Sequence, residues 1–386
     1  MSPSSAASAS PWRTLLPVFA ACAAIGLQAG VALPLVPLAL EREGFDKLTI
    51  GIVTATWGIG MLAFGTRIPR LASRFGAVPV MVIAVFAGSV INVAYTVTSG
   101  PIAWGLLTFL HGLVGGVPWV VSEIWMNTVV EESKRGRVMA VYGIMVAGGM
   151  ALGPAVLQVV GVYGSAPFLT CAALSLLVAV PLLPHWHTAP RIRIDGGSNY
   201  VSVVWLAPLA MFAAFAGGLG EQVAFSFLPV YAVGAGVSAE TGALWLSVFV
   251  MGNIVLQWPI GWMADHFDRR AVLAGCALVS MVLVGVLPLV PATSLFVIGT
   301  VLLWGGISFA IYPVGLALLG QSVKSGDIAR ANTAFSMIYI LGGLIGRPMT
   351  GAAMDLFREP GLGGTLALFY CALGLTALLV WRRKGA

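Results

Sequence analysis

The chain has 386 residues, 59% of them hydrophobic and 9% charged, against roughly 25% charged in an average soluble domain. With a mean hydropathy of +0.97 and about 20 apolar residues needed per membrane-spanning helix, it has room for twelve spans, short loops and no large soluble domain. The apolar stretches run unbroken well past the ten or so alternating residues of an outer-membrane barrel strand, and the formal charge of +6 lies in loops rather than in a nucleic-acid-binding patch.

In chain order, residues 1–13 read as a Ser/Ala-rich disordered tail. The apolar run after it is too long for a signal peptide and lacks a cleavage site, so it reads as a retained first span. Runs bounded by Gly, Pro or charge predict spans over 14–38, 48–68, 78–98, 102–129, 138–161 and 165–184. The longest polar stretch, 185–202, follows as a cytoplasmic linker. Six more spans are predicted over 203–233, 239–263, 271–290, 293–321, 330–354 and 362–381, and 382–386 is a basic tail. The expected domains are therefore two six-helix bundles, 14–184 and 203–381.

Positively charged loops stay on the cytoplasmic side. Twelve spans with the N-terminus inside place 16 of the 20 Lys and Arg residues there, and only Arg42, Lys47 and Arg358 outside. A missed or invented span would scramble that split. The expected location is a bacterial cytoplasmic (inner) membrane, with both termini cytoplasmic. Cys22, Cys171, Cys276 and Cys371 all fall in apolar runs and read as small packing residues.

The two halves repeat. Pro69-Arg70-Leu71-Ala72-Ser73-Arg74 after the second span aligns with Gly261-Trp262-Met263-Ala264-Asp265-His266 after the eighth at an offset of 192 residues. Gly148-Gly149 and Pro154 match Gly342-Gly343 and Pro348 at an offset of 194. Two nearly equal offsets imply a duplicated six-helix unit.

At these positions the sequence resembles the major facilitator superfamily. The family's loop signature has its counterparts in Gly261, Asp265, Arg269 and Arg270. The first-half copy departs from it with Pro69 and Ser73, keeping Arg74 and Gly76. Trp119 to Glu123 followed by Arg135-Gly136-Arg137, and Tyr312-Pro313-Val314 ahead of Asn332, are similar to a bacterial branch called YcaD-like facilitators. The resemblance implies an all-α membrane protein of twelve transmembrane helices in two pseudo-symmetric bundles, with spans one, four, seven and ten around a central cavity. It also implies a gating role for Asp265, Arg269, Arg270 and Arg74. Gly149, Gly153 and Pro154 resemble part of a span-five pattern of antiporters, which tilts the reading toward export.

Ionisable groups inside spans are functional candidates because lipid penalises charge. Glu221, in Gly217-Gly218-Leu219-Gly220-Glu221-Gln222, handles a proton or substrate, or forms a structural ion pair. Arg347 lies at similar depth in span eleven. At an offset of 194 their first-half equivalents are Leu27 and Gly153, so the two charges enter one half together and are expected to pair. Glu123 shares a helix face with Trp119 and Asn127; it is either protonatable or paired with Arg74 or Arg137, the pairing being favoured. His111 reads as a packed histidine. Gln28 is central in span one, a ligand or an interhelical bridge.

No HExxH, phosphate loop or CxxC is present, so the chain is read as no enzyme, needing no cofactor. The expected function is secondary active transport of a small organic solute by alternating access, with proton-coupled efflux preferred. Protons are the expected coupling ion and the bilayer the surroundings of a monomer. The alternative is an organic-anion carrier with Arg347 as counter-charge. From another class comes a non-transporting membrane sensor or assembly protein, for which a larger soluble extension is expected.

Overall fold

The computed structural model describes residues 11–186, 204–324, 327–358 and 360–385; most of the expected linker and residues 1–10 of the tail lie outside them. Helices are α1 (Pro11–Arg42), α2 (Lys47–Gly65), α3 (Ile68–Phe75), α4 (Ala77–Tyr95), α5 (Pro101–Val129), α6 (Glu132–Val160) and α7 (Ala166–Ala179). The second half holds α8 (Pro208–Gly234), α9 (Ala239–His266), α10 (Arg269–Val286), α11 (Leu295–Ser322), α12 (Ile328–Phe357) and α13 (Pro360–Gly385). Among the described residues, eleven helices are long and apolar enough to cross a membrane. The twelfth span is α12, 30 residues long, whose apolar run is interrupted by Arg347.

Three ends differ from the sequence reading. α1 already begins at Pro11, and α13 carries Arg382 and Arg383 inside the helix rather than in a tail. The polar stretch after α2 is a short helix, α3, not a loop. It forms because Ile68 and Ala72 fall one turn apart and are both buried, while Arg70 and Arg74 face outward. Gly76, at φ 93°, then takes the left-handed conformation that lets the chain turn back into α4.

Packing repeats between the halves. α1 packs on α6, α2 on α5 and α4 on α7; likewise α8 packs on α12, α9 on α11 and α10 on α13. Helix-interior prolines recur in register, Pro34 with Pro229, Pro118 with Pro313 and Pro154 with Pro348. Each lacks the N–H that would bond one turn back, so the two halves give up helical hydrogen bonds at equivalent places.

The halves meet mainly through α2 against α12 and α6 against α9, with α1 also touching α8. Glycine makes the first contact possible: a Cβ on Gly351 would stand 2.1 Å from the Lys47 carbonyl oxygen, and one on Gly51 2.5 Å from that of Arg347. Further along, a Cβ on Gly58 would meet Ile340 and Leu344 at ordinary distances of 3.5 and 3.6 Å, and Ser336 on the same stripe of α12 is exposed. The two helices therefore touch backbone to backbone at the pole of the α1–α2 turn and diverge toward the pole of the basic loops.

Candidate functional site

The site grows from α8, the most deeply buried of these eleven helices. Its small residues allow this. A Cβ on Gly218 would lie 2.0 Å from the Tyr339 carbonyl oxygen, and one on Gly342 2.1 Å from that of Phe215, so α8 and α12 are in main-chain contact. That approach puts Glu221 directly against the side chain of Tyr339.

Glu221 is 4% exposed. Tyr339 donates to its Oε2 at 2.6 Å, while Oε1 is buried without a hydrogen-bond partner among the described residues. Tyr312 of α11 packs edge-on against Tyr339, ring centroids 5.1 Å apart, and its hydroxyl lies 3.4 Å from Ser336 Oγ. Two tyrosines thus lead from the buried carboxylate toward the diverging side of the halves.

Arg347, also 4% exposed, does not pair with Glu221, which corrects the expectation. Its Nε donates to the Gln222 carbonyl at 3.2 Å, its Nη2 to the Gln222 side-chain oxygen, and its Nη1 to the Thr54 carbonyl of α2 at 2.9 Å. The reason is angular: neighbours on a helix point about 100° apart, so Gln222 faces Arg347 while Glu221 faces Tyr339. Shared depth said nothing about shared face. Arg347 consequently ties α8 and α12 to α2 across the two halves.

Gln28, on α1, has a buried amide Nε2 without a partner among the described residues. At the 194-residue offset it is the equivalent of Gln222. Where Gln222 meets Arg347, the first half has Gly153, packed so tightly on α1 that its Cβ would lie 2.3 Å from the carbonyl carbon of Gly30. The sequence held this asymmetry, but only the structure shows that it leaves an amide free.

Glu123, on α5, accepts from Tyr142 of α6 at 3.5 Å, and the guanidinium of Arg74 lies over the Phe75 ring at 5.2 Å. The side chain of Asn127 lies outside the described residues. Asp265 is exposed and 3.8 Å from Arg269, which donates onward to the Ala317 carbonyl of α11 at 3.1 Å. Arg270 lies 3.9 Å from Asp268. Asp265, Arg269 and Arg270 thus stay together at one end of the second half, whereas Arg74 lies on α3 of the first, and no group of three or more His, Cys, Asp or Glu residues able to hold a metal occurs among the described residues.

The profile of the Major Facilitator Superfamily matches residues 18–346 and 210–385. The chain belongs to the major facilitator superfamily. It is 26% identical over 365 residues to the uncharacterized MFS-type transporter Ent638_1421 of Enterobacter sp. strain 638, covering 91% of this chain and 90% of that one. Similarity to the uncharacterized MFS-type transporter YcaD of Escherichia fergusonii is 26% over 333 residues, 84% of this chain and 85% of the relative, so the YcaD-like resemblance holds. Among solved structures, the nucleoside transporter NupG superposes with TM-score 0.77 at 14% identity, over 95% of this chain and 98% of that one. A D-xylose–proton symporter gives 0.76 at 14%, over 96% and 97%. The fold is that of these transporters, and the chain is a secondary transporter of a small molecule and not an enzyme.

Proposed function

We propose that the chain exports a small hydrophobic or cationic organic compound in exchange for protons, by alternating access, with Glu221 as the group both compete for. The observation that carries this is a buried carboxylate with one tyrosine bond, one unpartnered oxygen and no basic partner among the described residues. An acidic side chain at the centre of a membrane helix costs at least about 2.5 kcal/mol in its charged form, a cost relieved by a proton or by a cation seated beside it. Since one carboxylate cannot hold both, binding one expels the other, and exchange follows.

Arg347 supports the cationic reading over the organic-anion alternative, because three of its five N–H donors, one on each nitrogen, are already engaged by Gln222 and Thr54. Gln28 supplies an open amide for substrate recognition, with Glu123 a second carboxylate in the first half and Asn127 on its helix. The name of one structural neighbour, a proton symporter, is in keeping with protons as coupling ion. By the positive-inside rule the diverging pole faces the cytoplasm of a bacterium, in whose inner membrane the monomer sits with both termini inside. Asp265, Arg269, Arg270 and Arg74 would then close that pole when the protein turns outward, with the bundles 14–184 and 203–381 as the moving bodies.

The test uses proteoliposomes with an imposed pH gradient and a panel of lipophilic aromatic cations that includes ethidium. The wild type should accumulate at least one of them in a gradient-dependent way, while Glu221→Gln should lose accumulation yet keep binding measurable by tryptophan quenching. Unaltered pH dependence in Glu221→Gln would overturn the reading.

A further inference from the structure

We propose that Asp355 is the latch of the pole opposite the basic loops, a carboxylate from the second half that caps a helix of the first and sets how long that pole stays closed. Asp355 lies in the last turn of α12. Its Oδ1 accepts from the backbone N–H of Lys47 at 2.9 Å and its Oδ2 from that of Leu48 at 2.8 Å. These are the first two residues of α2, where helical N–H groups have no partner within the helix. The positive end of the helix dipole adds to the attraction for a carboxylate.

α2 already has a cap of its own, Asp46, whose side chain accepts from Thr49 N–H at 2.7 Å. Asp355 takes the two donors that Asp46 leaves. It does so from more than 300 residues away and across the boundary between the halves, so separating the halves must break both bonds at once. The bare glycines behind it, Gly351 on Lys47 and Gly51 on Arg347, let the main chains meet closely enough for a side chain as short as aspartate to reach.

The duplication gives an internal comparison. The corresponding contact on the other side of the same pole is α6 to α9, where Gln158 Nε2 donates to the Glu240 carbonyl at 2.7 Å. That is one neutral bond against two charge-assisted ones, and charge-assisted bonds are roughly twice as strong. The pole is therefore fastened unequally, and its opening is governed chiefly at α2 and α12.

The latch rests on the reading that the two poles open alternately, and the experiment separates the two. Spin labels on Glu43→Cys and Leu356→Cys, both at exposed positions of this pole, report its width by double electron–electron resonance in nanodiscs, with Cys371→Ser removing the half-buried thiol. Losing a capping carboxylate costs about 1 kcal/mol, so Asp355→Ala should lower the closed-to-open ratio about fivefold. Asp355→Asn, keeping one acceptor, should fall between, and Gln158→Ala should shift the ratio less than Asp355→Ala. An Asp355→Ala distribution identical to wild type, when the wild type itself widens on changing pH or adding ethidium, would overturn the latch alone. Equal shifts in Asp355→Ala and Asp355→Asn would overturn it too, because the capping bond would not be the cause. A pole that opens in no protein under any of these conditions would refute alternating opening and the latch with it.

Discussion

Arg347 should be energetically coupled to Gln222 and not to Glu221, and a pair of double-mutant cycles measures this. Arg347→Met keeps the apolar length of the side chain and removes three donated bonds. Two of their acceptors, the Thr54 and Gln222 carbonyls, belong to helix backbone that still has its own helical donor. Only the Gln222 side-chain oxygen is left buried and orphaned. A net charge-assisted bond is worth about 1.5–3 kcal/mol in soluble proteins, whereas interhelical bonds in membrane proteins average about 0.6 and reach about 1.7. A coupling of about 1–2 kcal/mol is therefore expected between Arg347→Met and Gln222→Leu. Between Arg347→Met and Glu221→Gln it should stay below about 0.5 kcal/mol. Unfolding of purified protein by SDS titration, followed by tryptophan fluorescence, gives all the needed free energies. A larger coupling for Glu221 than for Gln222 would refute the placement of both side chains.

Two further outcomes follow from local geometry. Gly305→Ala puts a Cβ 2.0 Å from the Phe249 carbonyl oxygen and should cost about 1–3 kcal/mol by overpacking in the same titration. Gly299→Ala on the same helix meets nothing within 4 Å and should stabilise by up to about 1 kcal/mol. The Thr49 side-chain and then backbone hydrogen bonds hold the Asp46 carboxyl below its ordinary 3.8. The cap's contribution is thus complete above that ordinary value and lost as pH falls through the lower folded one. Hydrogen-exchange protection of the Thr49 N–H, the one amide of that turn that donates to the Asp46 side chain, should fall off in that acidic window in wild type, and Asp46→Asn, an equally good cap that does not titrate, should remove the fall-off.

Much of the fold was legible because lipid imposes a simple rule: backbone groups must bond internally, so spans are helices and hydropathy finds them. The nearly equal offsets between the halves, and so the likeness of α1–α7 to α8–α13, also lay in the letters. α3 escaped because eight residues with two buried apolar positions look like a loop beside twenty-residue spans. The site was half legible. Glu221 and Arg347 stood out as charges in apolar runs, but which neighbour each faces depends on helix rotation, and one residue of phase separates Glu221 from Gln222. Asp355 gave no local signal, since its partners are main-chain groups whose availability depends on where α2 begins and how close α12 comes.

The central claim is that Glu221 takes up and releases a proton, and infrared difference spectroscopy tests it without knowing the substrate. A protonated carboxyl group in an apolar setting gives a carbonyl stretch that an ionised one lacks. Spectra of purified protein in lipid, recorded as pH is stepped from acidic to alkaline, should show such bands disappearing in the wild type as its acidic residues ionise, with one of them missing throughout in Glu221→Gln. A set of titrating carboxyl bands identical in wild type and Glu221→Gln would contradict the account.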